Sequence, residues 1–144
     1  MAIARGAGTE IIRTAMFEDV AGAGTKNLII GEQHHIYTVL SIVMYTVNAA
    51  GYIDLMVNGY DSNGGTTAQD IVILSRTLVA AETFVWNDKF SFNGFEPTNF
   101  TGPMDDTTKQ NAIADQGSSV SQKLNIYLSN SSADLDIIVT YIDQ

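Results

Sequence analysis

The sequence predicts an all-β protein, a single-domain β-sandwich of about eight antiparallel strands, and three observations point to it. Apolar and polar residues alternate with a period of two, most plainly where Leu124, Ile126 and Leu128 interleave with Lys123, Asn125 and Tyr127. Valine, isoleucine and tyrosine crowd residues 35–48, a composition that favours a strand over a helix. Turn-forming residues part the segments at short intervals, as at 19–24, 61–65 and 130–132. Short strands joined in this way suit a jelly roll or an immunoglobulin-like sandwich, and the pattern leaves both open.

Taken in order, residues 1–9 are small and glycine-rich, with Arg5 the one charge, and read as a flexible arm. A first strand is expected over 10–17, followed by a turn over 19–24 and a short second strand over 26–30, closed by Gly31. Residues 35–48 are apolar on both faces. That suits a strand covered on both sides, or one passing from the fold interior to a subunit contact. Ala49, Ala50 and Gly51 turn the chain into a strand over 52–60, where Ile53, Leu55 and Val57 share a face. The turn at 61–65 leads to an apolar strand over 69–79. Next comes Glu82-Thr-Phe-Val-Trp-Asn-Asp-Lys-Phe90, read as one strand with Phe84, Trp86 and Phe90 inward and Asp88 interrupting that face. Residues 93–121 are polar and strand-poor, a long loop before the last two strands, 122–129 and 135–142. With no internal repeat and no linker, residues 1–144 read as one domain.

Composition narrows the function. A hydrophobic content of 45% with two prolines marks a folded chain. Seven basic residues against sixteen acidic ones give a net charge of −9, and the basic residues are scattered, so a phosphate backbone is repelled and no nucleic-acid partner is expected. The absence of cysteine removes disulfides, thiolate metal sites and thiol nucleophiles together. The opening residues lack the apolar core of a secretory signal. The longest apolar-rich run, 36–47, is broken by Thr38, Ser41 and Thr46 and is too short to span a bilayer. The expectation is cytoplasmic synthesis without secretion, and no membrane partner.

Motifs of catalysis or metal binding do not emerge. His34 and His35 are adjacent, so on a strand they face opposite ways, and they read as strand-edge residues. Asp61, Asn63 and Gly64 open like a calcium loop, but its twelfth position is Val72, so a hairpin turn explains them. Asp105, Asp106 and Asp115 could gather a cation, yet carboxylates on an acidic chain are ordinarily solvated. Neither a G-x-S-x-G elbow nor a phosphate-binding lysine loop is present. The sequons at 99–101 and 130–132 read as chance matches. The expectation is therefore no enzyme, no cofactor, no metal and no catalytic residue. Tyr52, Tyr60, Trp86 and Tyr127 could line a sugar-binding face, or could be core and cross-strand residues.

The segment A-E-T-F-V-W-N-D-K-F follows an apolar strand, and the chain closes on Ile137-Ile-Val-Thr-Tyr141, a strand ending in an aromatic. This pattern resembles small all-β structural proteins of tailed bacteriophages, especially those of marine bacteria and cyanobacteria. It covers residues 29–142, with the stretch after Phe92 departing from it. The resemblance implies a virion protein that cements or decorates the capsid, with the major capsid protein as partner. It also implies a homo-oligomer, a trimer. A neck, tail or fibre component is the alternative, and a carbohydrate-binding module recognising host polysaccharide is the second. Contacts are expected from the arm, with Arg5, and from the long loop, whose Phe95, Phe100 and Met104 are apolar anchors on a backbone stiffened by Pro97 and Pro103. Phe100, between Asn99 and Thr101, is the expected strongest contact. The rival is a loop folded over its own sandwich edge, with Phe95 and Phe100 in the domain core.

Overall fold

The computed structural model describes residues 10–60, 68–97, 107 and 119–144. Strands β1 (Ile11–Ala21), β2 (Gly24–Ile30), β3 (Ile36–Asn48), β4 (Gly51–Tyr60) and β5 (Ala68–Leu78) lead into β6 (Thr83–Trp86) and β7 (Phe90–Asn93). Two short strands, β8 (Phe95–Pro97) and β9 (Ser119–Ser121), precede β10 (Lys123–Leu128) and β11 (Asp134–Asp143). The first sheet has the order β1-β11-β3-β6, with β7 also on β3; the second has the order β2-β10-β4-β5; β8 and β9 form a ribbon of their own. Every one of these pairings is antiparallel.

The fold is the expected β-sandwich. Taking β6 and β7 as one interrupted strand and setting the ribbon aside, the eight strands match the eight read from the sequence. Successive strands alternate between sheets except the fourth and fifth, which pair in one sheet, giving orders first-eighth-third-sixth and second-seventh-fourth-fifth. That is a jelly roll, the alternative the period-two pattern could not select.

The core lies between the two sheets. Val39, Ile42 and Met44 of β3 and Leu135, Ile137 and Val139 of β11 meet Ile53 and Leu55 of β4 and Leu124, Ile126 and Leu128 of β10, all fully buried. The three-residue step from Val39 to Ile42 breaks strand period, and a bulge repairs it. Thr140 faces Ser41 while Tyr141 faces Val39, so Leu40 is the extra residue and Val39 and Ile42 both still point inward. Phe84, Trp86 and Phe90 pack against this core as the aromatic periodicity requires.

Three expectations are corrected. The turn over 19–24 is shorter, because β1 continues to Ala21 through a bulge at Glu18 and Asp19, where Asp19 takes φ 55°. The aromatic segment is two strands, not one. Asn87, Asp88 and Lys89 leave the ladder, and the Trp86 indole N–H donates to the Asp88 carbonyl at 2.6 Å across the break. Finally, the ends of the stretch 93–121 are strands: Phe95 pairs with Ser121, and Pro97 with Ser119.

Two glycines set the junction from which this ribbon springs. Gly31 donates to the Gln122 carbonyl at 2.8 Å, Gln122 donates to Gly94 at 3.0 Å, and Gly94 donates to His35 at 2.8 Å. A Cβ on Gly94 would sit 1.8 Å from the Glu32 carbonyl oxygen, and one on Gly31 would sit 2.3 Å from that of Gly94. Backbones cross here at a separation that only glycine permits.

Candidate interaction face

The outward side of the first sheet is unlike the outside of an ordinary sandwich. Strand register aligns Met16 of β1 with Ile138 of β11, Ile138 with Val43 of β3, and Val43 with Val85 of β6. These four side chains make one continuous apolar row across the sheet, perpendicular to the strands. Met16 is 75% exposed, Val85 45% and Ile138 40%. On one side of the row lies Tyr45, also exposed; on the other, Ile12 at 69% exposure faces Ile142.

Between the apolar positions stand hydroxyls. Thr14, Thr140 and Ser41 form the neighbouring row, and Thr38 and Ser91 share a hydrogen bond of 2.9 Å across β3 and β7. The rows from Ile12 to Met16 carry no charged side chain, and in the next row Asp136 stands opposite Tyr45. Carboxylate oxygens of Asp19, Asp134 and Asp136 lie within 4.8 Å of one another at the Tyr45 end, and Glu10 accepts from Gln144 Nε2 at 2.7 Å at the other. The Asp19 amide donates to Asp136 Oδ1 at 3.2 Å, while Asp134 Oδ1 is buried with no hydrogen-bond partner among the described residues. These three have the ligand type and spacing to hold a cation; otherwise their like charges oppose one another.

The outer side of the second sheet is mixed, with Ile30 and Val72 exposed among polar residues. Asp54, Asn58, Lys123 and Asp70 lie there by register, with Asn58 donating to Asp70 Oδ1 at 2.9 Å. Tyr52 and Tyr127 pair at 5.7 Å between ring centroids, and the neighbouring Tyr127 hydroxyl pushes the Tyr52 phenol above its ordinary value.

At one end of the sandwich, a cleft of about 240 Å³ opens between the sheets, lined by Arg13, Glu32, Tyr37, Tyr141 and Asp143 with Leu28, Ile29 and Ile30. Asp143 is 4% exposed, and both of its carboxylate oxygens are engaged. Arg13 Nε donates to Oδ2 at 3.1 Å, and His35 Nδ1 lies 2.7 Å from Oδ1. The His35 ring stacks on Tyr37, which stacks in turn on Phe92. The Tyr37 hydroxyl accepts the Glu32 amide at 3.0 Å. Burial pushes the phenols of Tyr37 and Tyr141 above the usual tyrosine value; the Glu32 amide opposes this at Tyr37, and the Arg13 charge opposes it at Tyr141. Ile36 and Gln144 exchange backbone hydrogen bonds at 2.9 and 3.0 Å beside it. These groups tie β1, β3 and β11 together.

Of the contact residues expected from the sequence, Arg5, Phe100 and Met104 lie outside the described residues, as do Asp61, Asn63, Gly64, Asp105, Asp106 and Asp115. Phe95 lies in a strand, β8, and not in a free loop. His34 is in a turn at φ 64°, and His35 is no plain strand-edge residue, since Asp143 and Glu32 hold it. Trp86 packs on the core, which removes it from any outward sugar-binding face. The apolar row was missed. Its one sequence signal was the two-faced apolar character of β3.

No protein family and no curated protein matches the chain. Among solved structures, it is similar to the CBM22-1–GH10 modules of the Clostridium thermocellum N-terminal endo-1,4-β-D-xylanase 10B complexed with xylohexaose, at 15% identity and a TM-score of 0.43 over 92% of this chain. It is also similar to a chain of the infectious bursal disease virus Gx strain, at 12% identity and a TM-score of 0.39 over 99% of this chain. The chain spans 24% and 40% of the lengths of those two chains.

Proposed function

We propose that this chain is a non-enzymatic structural protein that works by docking the outer face of its first sheet within a larger assembly. The observation that carries the reading is the uncharged apolar row Met16–Ile138–Val43–Val85, held in register across four strands and open to solvent. Soluble monomers seldom leave a contiguous apolar patch of this kind, and such patches mark interaction sites. The cleft supports the same reading, because the polar groups around Asp143 are engaged with one another and join strands. The finer form of the proposal follows the bacteriophage resemblance: a virion protein, made in the host cytoplasm, that cements or decorates the capsid through oligomeric contacts and the major capsid protein.

Quantitative mass spectrometry of purified particles tests it. Cementing or decoration predicts copies in proportion to the major capsid protein. A handful of copies per particle would move the chain to a neck, tail or fibre. Absence from particles would refute the virion role. A second reading, carbohydrate binding, draws on the pair of exposed Tyr52 and half-buried Tyr127 on the second sheet. Glycan-array binding lost on Tyr127→Ala, with the fold retained, would favour it.

A further inference from the structure

We propose that the cleft between the sheets is a binding site for a neutral hydroxylated ligand, a single sugar ring of a glycan. This goes beyond the docking role given to the outer face and does not depend on it, because the groups that line the cleft belong to the inner side of the sandwich.

Register places them there. Arg13 faces Tyr141, and Tyr141 faces Val39 of the core, so these side chains share the inner side of the first sheet. Tyr37 and Asp143 face each other on that same side. Leu28 and Ile29 of β2 line the cleft from the second sheet. The volume, about 240 Å³, lies just below the roughly 300–1,000 Å³ of sites that take drug-sized ligands. A ring enters, and a longer molecule keeps its remainder in solvent.

Hydrogen-bonding capacity remains once the buried carboxylate is served. Asp143 takes Arg13 Nε and His35 Nδ1. The guanidinium is a fork, and using Nε leaves its terminal amino groups, on a side chain 48% exposed. The Tyr37 oxygen accepts the Glu32 amide, which leaves its own proton to donate. The Tyr141 hydroxyl has no hydrogen-bond partner among the described residues. The Glu32 carboxylate, on a side chain 73% exposed, supplies an acceptor at the rim. Donors thus stand beside an acceptor, and a sugar hydroxyl serves both because it donates and accepts. The Tyr37 and Tyr141 rings, 6.0 Å apart between centroids, offer aromatic surface to the C–H side of the ring.

Charge selects against ions. Arg13 and Asp143 offset each other, and Glu32 stands at the rim in water. The carboxylates of Glu32 and Asp143 act on both phenols and oppose an anion, while the guanidinium opposes a cation. A peptide is the other neutral choice. Peptides are commonly held through main-chain hydrogen bonds, but backbone groups at this end are taken, Ile36 by Gln144 and Gly31 by Gln122.

Amide chemical shifts of the isotope-labelled full chain test this, on titration with methyl β-D-glucopyranoside, methyl β-D-galactopyranoside, methyl α-D-mannopyranoside and N-acetyl-D-glucosamine. At least one of these is expected to bind saturably at about millimolar concentration, with the largest shifts at Arg13, Ile29 and Tyr141. Arg13→Met and Tyr141→Phe are each expected to weaken that binding by about fivefold or more, with circular dichroism confirming the fold. Should either variant fail to fold, the wild-type shift map decides. Four sugars without saturable binding, shifts centred on Tyr52 and Tyr127, or folded variants that bind as the wild type does would overturn the proposal. Equal binding of N-acetylglycinamide, sodium acetate or methylammonium chloride would overturn it as well. Absence of the chain from particles would sink the virion role alone, and a cleft that takes no sugar would sink this inference alone.

Discussion

Replacing Asp143 by asparagine isolates what holds the cleft end of the sandwich together. The carboxylate is buried and binds two cation-capable partners, His35 Nδ1 at 2.7 Å and Arg13 Nε at 3.1 Å. Asparagine keeps the shape but offers one acceptor, so one partner meets an N–H₂ donor in place of an oxygen. A hydrogen bond to a charged group contributes about 1.5–3 kcal/mol. The Arg13 half is discounted because its side chain is 48% exposed and screened by solvent. A net loss of about 2 kcal/mol remains, dominated by the His35 side. With an unfolding entropy of about 2.1 cal/mol/K per residue, this is a fall in Tm of about 7 °C. Thermal melting by circular dichroism reads it, with Arg13→Met as a comparison expected to cost under about 1 kcal/mol. A shift for Asp143→Asn within about 2 °C, or a larger loss for Arg13→Met, would refute the assignment of stability to the buried carboxylate.

Gly94→Ala is expected to lower Tm strongly, by about 3 kcal/mol or more in stability, because its Cβ would overlap the Glu32 carbonyl; a melt unchanged from wild type would contradict the backbone crossing. Asp19→Asn removes one of three clustered carboxylates while suiting the positive φ, so stability should rise by about 0.5 kcal/mol, and a lower Tm would argue against simple repulsion. Tyr37 and Tyr141 hold their phenol protons more tightly folded than unfolded, so their contribution is complete below about pH 10 and is lost as pH rises through their raised values. Ultraviolet titration should find phenol ionisation extending above the ordinary tyrosine range, with Tm falling over that same range; a single transition confined to about pH 10 would contradict it.

The eight-strand plan was legible because each main strand carries its own period-two pattern and is bounded by turn residues that act locally. Where local signals fail, so does the sequence reading. Asp88 on the aromatic face was the one sign of a break between β6 and β7, outweighed because the segment lacks glycine and proline and its aromatics keep strand period on both sides. The glycines at 22 and 24 located a turn, but a bulge at Glu18 and Asp19 let β1 run further than its apolar pattern. The candidate face was beyond reach for another reason. Met16, Ile138, Val43 and Val85 come from distant parts of the chain, and only register brings them into one row. The partnership of His35 with Asp143, 108 positions away, is hidden in the same manner.

The outer face of the first sheet is expected to be covered when the protein is assembled, and Met16 reports on it directly. Met16 is 75% exposed in the single chain, whereas Met44 and Met56 are buried and serve as internal references. Peroxide oxidation, followed residue by residue by mass spectrometry, compares a sample diluted to monomer with the native assembly. Met16 is expected to form its sulfoxide readily in the first and slowly in the second, with Met44 and Met56 protected in both. Equal rates at Met16 in the two samples would contradict the claim.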